Sequence, residues 1–113
     1  MSNNQVLNAT TIEELKDIMG DEFTHLVETF LVDSVSRIAT IKEAIANTDA
    51  EAVRRSAHSF KGSASNMGAE QLVAVCQKLE RLGAEGDVDN AQSLLDDILT
   101  AYDKIPQALK AFC

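Results

Sequence analysis

Apolar residues return every three or four positions along nearly the whole chain, and no stretch alternates apolar with polar like a half-buried strand. The breakers are Gly20, Gly62, Gly68, Gly83, Gly86 and Pro106. A short first helix is expected from Thr10 or Thr11 to Gly20, since Thr11 and Glu14 fit a capping box and Ile12, Leu15, Ile18 and Met19 form one face. Asp21 is placed to cap a long second helix reaching about Asn47, on the stripe Phe23, Leu26, Val27, Phe30, Ile38, Ile41 and Ile45. Thr48 and Asp49, with Glu51 following, mark the start of a third helix from Asp49 to Met67, ended by Gly68. A fourth runs from Ala69 to Leu82 on Leu72, Val75, Cys76, Leu79 and Leu82, closing at Gly83. A fifth begins near Asp87 or Asp89 and carries Ala91, Leu94, Leu95, Ile98, Tyr102, Ile105 and Leu109. Pro106 removes a donor and crowds the preceding turn, so it kinks or shortens that helix.

Helices of this length joined by short turns favour antiparallel neighbours. The pattern therefore predicts an all-α, antiparallel up-down-up-down four-helix bundle with a short extra N-terminal helix. A length of 113 residues suits one domain, 1–113. Met1 and an amphipathic pattern reaching almost to Cys113 favour a complete chain over a fragment of a larger kinase.

Composition narrows the setting. With 45% apolar and 25% charged residues the chain can build a packed core and is not disordered. Charges interrupt every apolar stretch well short of the roughly 18 to 20 residues of a spanning helix, so no membrane location is expected. Met1 to Glu13 shows no basic residue followed by an apolar run, and so no secretory leader. Cys76 and Cys113 form neither a disulfide framework nor a metal-ligand spacing, which fits a reducing cytoplasm and no metal or other cofactor. A net charge of −8 repels nucleic acid and anionic lipid, and polar faces on the second to fifth helices point to a monomer.

The chemistry gathers on the third helix, in Arg54-Arg55-Ser56-Ala57-His58-Ser59-Phe60-Lys61-Gly62-Ser63. At about 100° per residue, Val53, Phe60, Ala64 and Met67 form the buried stripe and His58 stands nearly opposite. Within about 60° of His58 fall Glu51, Arg54, Arg55, Lys61, Gly62 and Ser65. The bland alternative, a satisfied core histidine, conflicts with that wheel. Gly62 costs a helix about 1 kcal/mol relative to alanine; a close helix crossing would explain it, but crossings use the buried stripe, which leaves access to the imidazole. Lys61, one turn on, can bond a phosphoryl group held on the ring. The like charge of Arg54, Arg55 and Lys61 is expected to keep the imidazole neutral and nucleophilic. His25 is an internal contrast, since Asp21, Glu22 and Glu28 around it repel phosphate.

The run from Ala57 to Ala69, with His58, Lys61-Gly62 and Gly68-Ala69 at these offsets and Leu72, Cys76 and Leu79-Glu80 following, resembles the signature of histidine phosphotransfer domains. The likeness is close over residues 49–83 and loose over the whole helical plan. It implies that His58 accepts a phosphoryl group, that Lys61 stabilises it, and that Gly62 clears a docking surface. Arg54, Arg55, Gly62, Ser65, Gln77 and Glu80 would make up that surface. In some members a glutamine one helix over reaches the histidine; its position here is Glu80, an acid that can orient the ring and repels a bound phosphoryl group, with Gln77 one turn earlier as the substitute. The implied partners are receiver domains of a hybrid sensor kinase and of a response regulator, which carry the metal and the acceptor aspartate. The chain itself would be a carrier and not an enzyme. Two rivals remain open: a bundle that docks receivers without being phosphorylated, and a phosphatase-like bundle in which His58 or Glu80 positions a water.

Overall fold

The computed structural model describes residues 6–113, so residues 1–5 of the segment expected to carry no secretory leader lie outside the described residues. Its helices are α1 (Ala9–Met19), α2 (Phe23–Ala46), α3 (Ala50–Asn66), α4 (Glu70–Ala84), α5 (Ala91–Tyr102) and α6 (Ile105–Lys110), with a 3₁₀ turn at Gly20–Glu22. No strand occurs among the described residues. The interiors follow the apolar stripes except in α1, where Ile18 is 80% exposed, and several ends differ from the pattern.

Asn8, not Thr11, caps α1: its side chain accepts from the Thr11 N–H at 3.1 Å. Asn8 is fixed from outside the helix, its own N–H donating to Gly68 O at 2.8 Å and its Nδ2 to Glu70 Oε2 at 3.0 Å. A tertiary anchor thus sets the start of α1. Gly20 follows α1 at φ 55°, a left-handed conformation that glycine adopts without a Cβ penalty. Asp21 makes no cap, because the 3₁₀ turn feeds straight into α2, whose flanking Glu22 is already helical. Asp49 does cap α3, accepting from the Ala52 N–H at 3.1 Å.

Gly83 does not close α4 but lies inside it, fully packed against α3. A Cβ there would lie 2.6 Å from Arg54 N and 2.8 Å from Ala50 O, so the missing side chain is what lets the two backbones approach. α5 begins at Ala91, later than Asp87 or Asp89. Of the two effects expected of Pro106, the structure shows the shortening: α5 ends at Tyr102 and Pro106 sits in the first turn of α6, where its missing N–H goes unneeded.

Ile12, Ile41, Phe60, Leu72, Leu79, Ile98, Ile105 and Leu109 are among the fully buried side chains, so every helix contributes to one core. The ring of Phe60 packs 6.4 Å from that of Tyr102, tilted by 52°. Ser34 fills a slot in the α2 stripe between Phe30 and Ile38, and its hydroxyl donates to Phe30 O at 2.7 Å. That local bond satisfies a buried polar group that would otherwise cost about 1–3 kcal/mol. Among the described residues no helix is long and apolar enough to cross a membrane.

Candidate functional site

Burial of Val53, Ala57, Phe60 and Ala64 fixes the rotation of α3 and turns its opposite face outward. His58 stands on that face with 64% of its side chain exposed. α4 packs alongside and projects Glu80 toward it. One oxygen of Glu80, Oε2, lies 3.0 Å from His58 Nδ1, and the other, Oε1, lies 2.8 Å from Lys61 Nζ. Oε1 is buried, and the Lys61 ammonium is the charge that faces it. A single carboxylate therefore bridges the imidazole and the ammonium.

The Lys61 ammonium beside it, and next the His58 ring, hold the Glu80 carboxyl below the usual carboxylate range, against the opposing effect of partial burial. An ionised carboxylate can only accept. A neutral His58 facing it must carry its proton on Nδ1, which leaves the Nε2 lone pair free on the exposed side. The arrangement is that of a nucleophile oriented by a second group.

Each of the three cations expected to press on the imidazole with like charge is itself paired with an acid. Arg54 bonds Glu51 through both Nε, at 3.0 Å, and Nη2, at 2.6 Å, and Arg55 approaches the same carboxylate at 3.7 Å. The Arg54 fork holds the Glu51 carboxyl below its ordinary range. Lys61 is taken by Glu80. The charge nearest the imidazole is therefore negative, and like-charge pressure from three unpaired cations is not what the ring meets.

Gly62 is exposed, and a Cβ built there would meet nothing within 4 Å. The close crossing of α3 with α4 uses Gly83, so Gly62 has no packing reason to lack a side chain. Ser65 is exposed on the same face. Gln77 is exposed on α4, but Glu80 is the residue that reaches His58. His25 is exposed on α2 beside a groove of about 270 Å³ that Glu28 and Asp33 also line. Cys76 is buried one turn before Glu80, where desolvation pushes its thiol up to about 12 and leaves it inert. Among the described residues no group of three His, Cys, Asp or Glu side chains converges as a metal ion would need.

One contact was not anticipated from the pattern. Arg37 of α2 donates through Nη1 to Ser59 Oγ, the residue beside His58, and lines a groove of about 390 Å³ between α2 and α3. A signal for it exists in the sequence: on a helical wheel Arg37 falls about 20° from the buried Phe30, so an arginine borders the apolar stripe.

The Hpt domain family model matches residues 25–111. Among solved structures, the crystal structure of histidine-containing phosphotransfer protein B from Pseudomonas aeruginosa PAO1 is similar, with a TM-score of 0.92 and 32% sequence identity over 96% of this chain and 95% of that one. A comparison with curated proteins gives no match. The family match takes in α3, α4 and the His58–Glu80–Lys61 cluster, and on these grounds the chain belongs to the Hpt domain family and serves histidine phosphotransfer in phosphorelays.

Proposed function

We propose that His58 is the phosphoacceptor and that the chain is a carrier, taking a phosphoryl group from a receiver-domain aspartate of a sensor kinase and passing it to a response regulator. The observation that carries this reading is the bond between His58 Nδ1 and Glu80 Oε2, 3.0 Å long, which leaves Nε2 exposed as the nucleophile. In the accepting step the Nε2 lone pair forms the N–P bond while the acyl-phosphate P–O bond breaks, its electron pair returning to the partner's aspartate. The Nδ1 proton stays in place. The ring becomes cationic as the bond forms, and the Glu80 carboxylate beside Nδ1 stabilises that charge. Lys61 lies between Glu80 and the incoming phosphoryl oxygens and offsets negative charge on both. The onward step is the same exchange in reverse on a second receiver.

On this reading the metal ion and acceptor aspartate belong to the receiver domain, and the chain is no enzyme. Arg54, Arg55, Gly62 and Ser65 of α3, with Gln77 and Glu80 of α4, form the docking face. Residues 1–113 act as one domain, an up-down-up-down bundle with α1 as its extra N-terminal helix, monomeric and cytoplasmic.

Incubation with phosphoramidate, followed by intact-mass and acid-lability analysis, tests this directly. The wild type is expected to gain one acid-labile phosphoryl group and pass it to a receiver domain, and His58→Gln to do neither. A folded wild type that binds receivers but is never labelled would overturn the carrier reading in favour of docking alone.

A further inference from the structure

The groove between α2 and α3 is unused by the chemistry above, and it is lined by the chain neighbour of His58. Ser59, the next residue, lines it together with Arg55 and Ser56 of α3 and Asp33, Ser36 and Arg37 of α2. Arg37 is half-buried there. Its Nη1 donates to Ser59 Oγ, while its buried Nε has no hydrogen-bond partner and no carboxylate pairs with it among the described residues. Arg54, Arg55 and Lys61 on the neighbouring face each meet an acid, whereas the half-buried guanidinium of Arg37 meets none among the described residues.

A buried donor without a partner is costly, and a guanidinium fork fits a carboxylate or phosphate through paired N–H donors. The mixed lining separates those two. Asp33 stands in the same groove and repels a free dianion, whereas a protein side chain brings one carboxylate together with neutral or donating groups that Asp33 and the serine hydroxyls can meet. We propose that the groove receives an acidic side chain of the receiver domain docked over His58, with Arg37 as its anchor and Ser59 holding the anchor in place. The groove then extends the docking surface from the α3–α4 side of His58 to the α2 side, so the partner is gripped on both flanks of the reacting nitrogen. This rests on the carrier reading proposed above.

The experiment uses a receiver domain that takes the phosphoryl group from labelled wild type, and compares wild type, Arg37→Lys and Arg37→Gln. Thermal unfolding first establishes which variants are folded. Labelling of His58 by phosphoramidate, which needs no docking, is expected to be unchanged. The receiver's Kd is expected to rise about ten-fold for Arg37→Gln and less for Arg37→Lys, which keeps the charge and loses the fork. The salt dependence of binding should flatten in step. A Kd within about two-fold of wild type for a folded Arg37→Gln overturns the proposal, taking the ten-fold loss of an ion pair as the reference. So does a shift of the Arg37 Nε–H resonance on titration with inorganic phosphate alone, which would make the groove a site for a free anion. Failure of the carrier reading looks different, because wild type itself would then take no phosphoryl group.

Discussion

Because Lys61 holds Glu80 ionised, the tautomer of His58 is decided on the neighbouring helix. Removing the acceptor frees the ring to rotate and to place its proton on either nitrogen, so only part of the population presents a bare Nε2. Loss of a charge-assisted hydrogen bond of about 1.5–3 kcal/mol predicts that Glu80→Ala slows phosphoramidate labelling by about ten-fold or more. Glu80→Gln keeps a carbonyl that can accept from Nδ1 and should recover most of the rate. Rates read by intact mass, alongside the ¹⁵N shifts of the His58 ring, separate this from a structural effect, since destabilisation alone moves no tautomer. The helix wheel exposes His58, and the resemblance, counted along the chain, points to Glu80 as the residue one helix over. Neither reveals which acid answers which cation, because spacing within α3 carries no information about how α4 crosses it.

The two interior glycines of the site's helices have opposite meanings, and only the packing tells them apart. Gly83 sits where a Cβ would strike the backbone of Arg54 and Ala50, and backbone cannot swing aside as a side-chain tip can. Gly83→Ala is expected to lower stability by about 1–3 kcal/mol or more, read as a fall in the urea midpoint. Gly62 has open space around it, so Gly62→Ala should raise helix stability by about 0.5–1 kcal/mol. If Gly62 clears a docking surface, the same variant slows transfer to a receiver while phosphoramidate still labels it. A variant both more stable and equally fast in transfer would sink that role. From sequence, the two were read unequally: Gly62 was set on the exposed face, whereas Gly83 passed for a helix end, since a glycine closing a periodic run looks the same whether it stops a helix or admits a neighbour. The start of α1 at Asn8 was hidden for a related reason, because the cap depends on Gly68 and Glu70, some sixty residues away.

Over the whole molecule, the same pairings set how stability changes with pH. Glu51 and Glu80 are held below the ordinary carboxylate value of 4.5 by cations of the functional face. A depressed carboxylate contributes stability above its unfolded value and loses it as pH falls through the folded one, so the acid arm opens below about 4.5. The alkaline arm has another origin. Burial pushes the Cys76 thiol from 9.0 up to about 12, and burial also raises Tyr102, against a hydrogen bond with Ser34. For a raised group the contribution is complete below the unfolded value and is lost as pH climbs toward the folded one, because the unfolded chain ionises first. Stability measured by urea midpoint should therefore fall from about pH 9 toward 12. Two substitutions assign the arms. Glu80→Gln should flatten the acid arm and leave the alkaline one alone. Cys76→Ala leaves a small cavity and lowers the midpoint at every pH, but it should flatten the alkaline slope, keeping only the Tyr102 part above 10.0. An alkaline slope equal to wild type in Cys76→Ala would show that the thiol beside the Lys61–Glu80 pair is not the group being kept protonated by the core.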